Sequence, residues 1–341
     1  MCSRWPPSSF ALFALSGETA FVQTVITISP QNAAGFIRRG GVVAFPTETV
    51  YGLGANVFDE HAIAKIFEAK ERPQDNPLIA HVASVEQIGL LATEISSSAH
   101  LFIDSFFPGP LTIVLPKSEK VPMIATAGLE TIGVRMPRGE LGQRFLAACG
   151  VPVVAPSANV SGRPSPTTWE AVLEDLDGRI DCILQGEATE IGLESTVVDC
   201  TGDVPILLRA GAISLAELRR IVPGTMVYSS DASEQPRSPG MRHRHYSPRA
   251  KVVLSAECGV RSAEFGAERA AYIGLGEPET RLLSLLTLTK VCSSVEEYAH
   301  EVFEFFRVCD RAGIVTIYCE SVNETGIGAA LMDRLRRAAE G

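Results

Sequence analysis

Residues 46–54 read PTETVYGLG and follow the apolar run 42–45 (VVAF), which reads as a buried strand. Two threonine hydroxyls, a carboxylate and a tyrosine therefore sit at a strand's carboxyl end, where ligands bind in open α/β sheets. Gly40 and Gly41 before the strand, and Gly52 and Gly54 after the motif, predict tight turns on both sides. Alone, such a stretch would be a polar turn, but later stretches carry the same mix of small hydroxyls, Arg and Asn. Residues 70–77 (KERPQDNP) put Lys70 and Arg72 at a helix end, with Asn76 just before Pro77. Cations there also answer the helix dipole, and Asn is a common turn residue. In residues 131–137 (TIGVRMP), strand periodicity places Thr131, Gly133 and Arg135 on one face. An inward Arg135 needs a carboxylate or phosphate, supplied by a substrate or by an internal salt bridge. Residues 155–167 (APSANVSGRPSPT) follow another apolar strand and offer backbone N–H groups and hydroxyls, among them Ser157 and Ser165, to an anion. Glu194, Ser195 and Thr196 open a strand, and Arg209 ends one beside Ala210 and Gly211. His81 ends the strand 78–82, where a satisfied core histidine is the ordinary case.

The elements that must position these groups alternate irregularly. Helices are predicted over 30–39, from 59 to about 70, over 84–91, 97–107, 139–149 and 214–221. Strands are predicted at 42–45, 78–82, 111–115, 132–136, 151–155, 181–184, 195–199 and 206–209. This order points to an α/β sheet of mixed direction and not to a strict βαβ repeat. Residues 223–250 are rich in Pro, Gly, Ser and basic residues and form the expected linker. A second unit follows from Lys251, with strands 251–255, 271–275 and 314–319 and helices 294–311 and 328–339. It reads as a small parallel, Rossmann-like sheet without a dinucleotide fingerprint. The expected divisions are an N-terminal extension 1–24, a main domain 25–222, the linker 223–250 and a C-terminal domain 251–341.

The chain of 341 residues is 46% hydrophobic and 21% charged, a balance that suits two soluble globular domains. No apolar run approaches transmembrane length. Eight cysteines are scattered without a Cys-x-x-Cys pair, as expected for buried free thiols in a reducing cytoplasm. A net charge of −10 argues against stable, sequence-independent nucleic-acid binding. No Walker loop, kinase set, Ser–His–Asp triad or metal-binding histidine pair is present.

Taken together, these stretches resemble the YrdC-like family of threonylcarbamoyl-adenylate synthases, in its two-domain form. The resemblance rests on residues 46–54, Lys70 to Pro73 with Asn76 to Leu78, Pro108 to Thr112, Val134 to Pro137, Ala155 to Asn159, Glu194 to Asp199 and Pro239 to Tyr246. It departs from the family at Ala210 and His243, where proline and tyrosine are usual. The resemblance implies a YrdC-like twisted open mixed sheet with helices, plus the Rossmann-like C-terminal domain. It implies a nucleotidyltransferase that converts L-threonine, bicarbonate or CO2, and ATP to threonylcarbamoyl-adenylate and diphosphate. The product would pass to a tRNA threonylcarbamoyl-transferase complex for modification of adenosine 37. L-threonine would be held by Thr49, His81, Arg135, the backbone of Ala155, and Ser195. ATP would be held by Arg72, Asn76, Thr131, Ser157, Ser165, Arg209 and Tyr246, with Lys70 near the phosphates. Lys70, Arg72 and Arg135 would be the catalytic cations. Mg²⁺ would arrive with ATP, since no acidic cluster resembles a protein-built cage. The rival readings are an RNA-binding module and carbamoyl-adenylate formation for another acceptor.

Two further expectations concern the linker. Residues 238–248, basic in an acidic chain, are expected to fold over the cleft as a lid, with Tyr246 sealing it. The C-terminal domain is expected only to support that placement, so truncation near Ala250 should cost less than truncation after Ile221.

Overall fold

The computed structural model describes residues 23–228, 246–255, 269–278 and 285–340. Within them the main domain is built on one mixed sheet of 11 strands. Its order is Val25–Thr27, Cys182–Leu184, Val43–Phe45, Gly52–Asn56, Val153–Ala155, Ile79–His81, Thr131–Arg135, Leu111–Pro116, Thr196–Asp199, Ile206–Arg209 and Met226–Val227. Parallel and antiparallel neighbours are mixed along it, as the irregular order of elements predicts.

Local chemistry explains the frame of the first motif. Ser29 caps the helix Pro30–Arg38 by accepting the N–H of Asn32, and Pro30 occupies its first turn. Gly40, at φ 74°, reverses the chain into the buried strand Val43–Phe45. Beyond the motif the expectation of a turn at Gly52 and Gly54 is corrected. Both lie in the strand Gly52–Asn56, which pairs antiparallel with Val43–Phe45. Their lack of a side chain serves close packing: a Cβ on Gly54 would come within 2.6 Å of Val153 and 3.0 Å of the Phe45 ring. Residues 46–51 are thus the loop of a hairpin whose two strands are the third and fourth of the sheet.

Asp59 caps the helix Glu60–Lys70 through the N–H of Ala62, and Glu71 closes it in the left-handed region at φ 52°. Ser214 and Glu217 form the full capping box predicted for the helix Leu215–Ile221. The helix Trp169–Leu176, capped by Thr168, was not foreseen; neither were the edge strands Val25–Thr27 and Met226–Val227. Met226 pairs with Ile206, so the main sheet extends into residues expected to be linker.

The C-terminal unit carries four parallel strands in the order Lys251–Ser255, Thr316–Glu320, Ala270–Gly274 and Leu286–Val291. The last was not predicted; its alternating Leu and Thr residues stand partly exposed and form no continuous apolar run. The helices Val295–Arg311 and Gly328–Ala339 cover the sheet, and Ser294 caps the first through the N–H of Glu297. Its core takes in Phe303, Phe306 and Leu331, and also Val50, Leu193 and Tyr246 from the site-bearing segments. No helix among the described residues is long and apolar enough to cross a membrane. Cys149, Cys182, Cys200, Cys292, Cys309 and Cys319 are all buried free thiols, as predicted.

Candidate active site

The strand ends and loops converge on one small cleft of about 70 Å³. Nine of the thirteen predicted residues line it: Thr49, Arg72, His81, Arg135, Ala155, Ser157, Ser195, Arg209 and Tyr246. They come from eight separate stretches of chain, most of them at or beside the ends of strands of the main sheet. His81 and Arg135, for instance, are register partners in a parallel pair.

Arg135 is buried and engaged by protein groups. Its Nη2 lies 2.8 Å from Glu48 Oε1, an ion pair in which neither atom makes a well-aligned hydrogen bond. Its Nη1 donates to Thr49 Oγ1 at 2.8 Å, and Thr49 Oγ1 lies 2.8 Å from Thr47 Oγ1. The internal salt bridge left open by the sequence is therefore present. Arg135 nonetheless remains in the cleft wall. Beside it, His81 stands edge-on to the Phe45 ring and places Nδ1 3.1 Å from the carbonyl of Ile79. Burial and the neighbouring Arg135 push its pKa down to about 3, so His81 is neutral through the physiological range.

A second group of cations faces the same space. Arg72 donates from Nη2 to the carbonyls of Asn76 and Pro77 at 3.3 Å each, and its buried Nε has no partner. Burial lowers its pKa to about 10, leaving it charged. Arg209 holds Ser195 from two sides, Nε to the carbonyl at 3.0 Å and Nη2 to Oγ at 3.1 Å. Ser195 Oγ also meets Thr112 Oγ1 at 2.8 Å. Tyr246 closes one side. Its ring stacks on Phe303 at 5.4 Å, and the guanidinium of Arg334 lies 5.5 Å from its centroid. Its φ of 67° is a strained value for a tyrosine, held by these flanking contacts.

Four predicted residues stand elsewhere. Lys70 lies buried behind the wall, its ammonium donating to the carbonyls of Ser157, at 2.5 Å, and Asn159. Burial lowers its pKa well below the usual lysine value. Asn76 is buried behind Arg72. Ser165 is buried and donates to Glu194 Oε1 at 2.5 Å. Thr131 lines a small neighbouring cavity with Pro77, Thr112 and Gly133. Sequence reasoning gave no role to Glu48, Glu194, Phe303 or Arg334. The first two sat inside recognised motifs, whereas the last two come from distant helices and left no local signal.

The proposed lid, 238–248, lies mostly outside the described residues; Tyr246 and Ser247 lie within them and are buried. Among the described residues no group of three or more His, Cys, Asp or Glu could hold a metal ion.

Arg72 and Lys70 are distinguishable by substitution. Arg72→Ala is expected to raise the apparent KM for ATP about tenfold or more, the loss of a charge-assisted contact, with a much smaller change for threonine. Lys70→Met is expected to act in the same direction through the loop it pins, and to lower the melting temperature as Arg72→Ala does not. Steady-state kinetics and thermal melting separate the two; equal changes in both KM values would remove Arg72 from the phosphate side.

The pH response of His81 is a second check. A folded-state pKa of about 3, below the ordinary 6.5, means that the folded chain binds fewer protons there. The stability tied to neutral His81 is present above pH 6.5 and is lost as the pH falls toward 3. The gap in unfolding stability between the parent and His81→Asn should therefore narrow between pH 7 and pH 4.5. A constant gap would show an unperturbed imidazole.

Residues 35–211 match the family model Sua5_yciO_yrdC, described as Telomere recombination. Residues 213–340 match Sua5_C, the threonylcarbamoyl-AMP synthase C-terminal domain. The chain is similar to the threonylcarbamoyl-AMP synthase of Pyrococcus abyssi, 45% identical over 90% of this chain and 93% of that protein. It is similar also to that of Bacillus subtilis, 40% identical over 92% of this chain and 94% of that one. The crystal structure of P. abyssi Sua5 complexed with L-threonine superposes with a TM-score of 0.82 at 42% identity, covering 93% of this chain and 97% of that one. The fold, a mixed sheet joined to a small parallel one, is thus shared along nearly the whole length: the chain belongs to the threonylcarbamoyl-AMP synthase family.

Proposed function

We propose that this chain makes L-threonylcarbamoyladenylate and diphosphate from L-threonine, bicarbonate or CO2, and ATP. The observation that carries the reading is the make-up of the cleft: Arg72, Arg135 and Arg209 beside Thr47, Thr49, Ser157 and Ser195, with its one histidine too acidic to serve as a base at neutral pH. Such a wall orients anions and balances charge, and its one carboxylate, Glu194, is held by Ser165 and Arg334. The proposed reaction asks for nothing more. The threonine amine takes up CO2, giving a carbamate and releasing a proton. A carbamate oxygen then attacks the α-phosphorus of ATP, the new P–O bond forms, and the bond to the diphosphate breaks.

Threonine sits, in this reading, against Thr49, His81, Arg135, the Ala155 backbone and Ser195. Neutral His81 can share a hydrogen bond with the substrate without adding charge. ATP lies along Arg72, Ser157, Arg209 and Tyr246, with Mg²⁺ arriving on the triphosphate as part of the substrate. Lys70, Asn76 and Ser165 act from behind the wall by fixing Ser157, Arg72 and Glu194. Thr131 is assigned to the nucleotide through the adjoining cavity. The product passes to a tRNA threonylcarbamoyl-transferase in the cytoplasm. A diphosphate-release assay tests the reading. Release should require threonine and bicarbonate together, and threonylcarbamoyl-adenylate should be recovered. Release driven instead by carbamoyl phosphate without threonine would assign the chain to another acceptor.

A further inference from the structure

The helix Val295–Arg311 of the C-terminal unit turns one stripe toward the main domain. His300 Nε2 lies 2.9 Å from the carbonyl of Thr189, Phe303 stacks on Tyr246, and Arg307 reaches Asp175. Spacings of three and four residues put all three on one helix face. Arg307 is 1% exposed although it carries a charge, and its partner carboxylate is equally buried. Its two terminal nitrogens grip Asp175 as a fork, Nη1 to Oδ1 at 3.1 Å and Nη2 to Oδ2 at 2.8 Å. Nη2 also donates to the carbonyl of Pro164 at 2.6 Å.

Asp175 in turn gathers the cleft-facing loop. It accepts from Arg163 Nη1 at 2.5 Å and from the N–H of Val160 at 3.3 Å. Asn159 then clasps the carbonyls of Val160 and Arg163, and Ser157 Oγ donates to Asn159 Oδ1 at 2.6 Å. Ser157 is in the cleft wall. An unbroken series of hydrogen bonds therefore joins the C-terminal helix to a group proposed to face the nucleotide. Burying such a pair gives little net stability over an apolar replacement, so stability alone is a poor reason for it.

We propose that Arg307 is a positioning residue for the nucleotide: through Asp175 and Pro164 it fixes the loop 157–165 in its ATP-ready shape. The proposal rests on the assignment of this loop to ATP in the preceding reading. It makes the C-terminal unit part of the catalytic apparatus and not only a support for the linker.

The test uses the full chain and two variants, Arg307→Met and Arg307→Lys. Steady-state diphosphate release is measured against ATP and against threonine, with amide exchange of residues 157–165 followed in the ligand-free protein. Arg307→Met is expected to raise the KM for ATP about tenfold, in the range of coupling through packed networks, with the KM for threonine nearly unchanged. Exchange in 157–165 should quicken. Arg307→Lys, which keeps the charge but not the fork, should fall between. Should Arg307→Met fail to fold, Arg307→Lys decides the matter, since it keeps a charge beside Asp175 and loses only the fork; a smaller ATP-selective loss is expected. Unchanged ATP KM and exchange in the folded variants, or equal losses for both substrates, would overturn the role of Arg307. A parent enzyme with no threonine-dependent turnover would instead sink the functional reading itself.

Discussion

Arg135→Ala is expected to lower threonine-dependent diphosphate release by about a hundredfold or more, the scale for truncating a buried, hydrogen-bonded charge pair. Two causes would contribute, and they can be separated. Removing the guanidinium takes away a group proposed to hold threonine. It also strands Glu48, 3% exposed, whose ion pair with Arg135 spans 2.8 Å. An uncompensated buried carboxylate costs about 3–5 kcal/mol of stability. The double variant Glu48→Gln/Arg135→Gln removes both charges together and should recover most of the lost melting temperature. It should not recover activity if the arginine serves the substrate. Recovery of both would make the pair a structural salt bridge and remove Arg135 from the threonine site.

Truncation after Ala250 is the second large effect. Judged on motifs alone it should cost less than truncation after Ile221, because it retains the whole linker. The structure argues that the loss is large all the same. Tyr246 is seated on Phe303 and under Arg334, both of which the truncation removes. Arg334 Nε also pairs with Glu194 at 3.1 Å, and its Nη1 holds the carbonyl of Ala210, next to Arg209. Val50 and Leu193 lose their cover as well. Misplacement of about 1 Å can cost on the order of a hundredfold in rate, so the shortened chain should retain about 1% of the parent's turnover or less. A soluble chain ending at residue 250 that keeps a tenth of the parent's activity would show the C-terminal unit to be dispensable for the site.

Much of this protein was legible in its sequence because the information was local. Caps such as Ser29, Asp59 and the Ser214–Glu217 box act within one helical turn. Apolar runs such as 42–45 and 152–155 announce strands buried on both faces. The family resemblance also brought nine cleft residues into one list before any geometry was known; most lie at or beside a strand's end, while Arg72 follows a helix and Tyr246 lies in the linker. The C-terminal sheet was readable for the same reason, apart from the weakly apolar strand Leu286–Val291.

What tertiary structure decided was which partner each group takes. Nothing in residues 70–77 says that Lys70 turns away from the cleft onto the carbonyls of Ser157 and Asn159, because those carbonyls arrive from nearly ninety residues away. Gly52 and Gly54 read as turn residues until Phe45 and Val153 are seen to press against them. Whether Arg135 met a substrate or a carboxylate of its own chain depended on a hairpin that returns Glu48 to its side. Arg307 and Arg334 carry no motif, and only the docking of their helices joins them to Asp175 and Glu194. Charge pairing and close packing act across space and not along the chain. A sequence therefore names the groups that need partners, and the assembled fold chooses them.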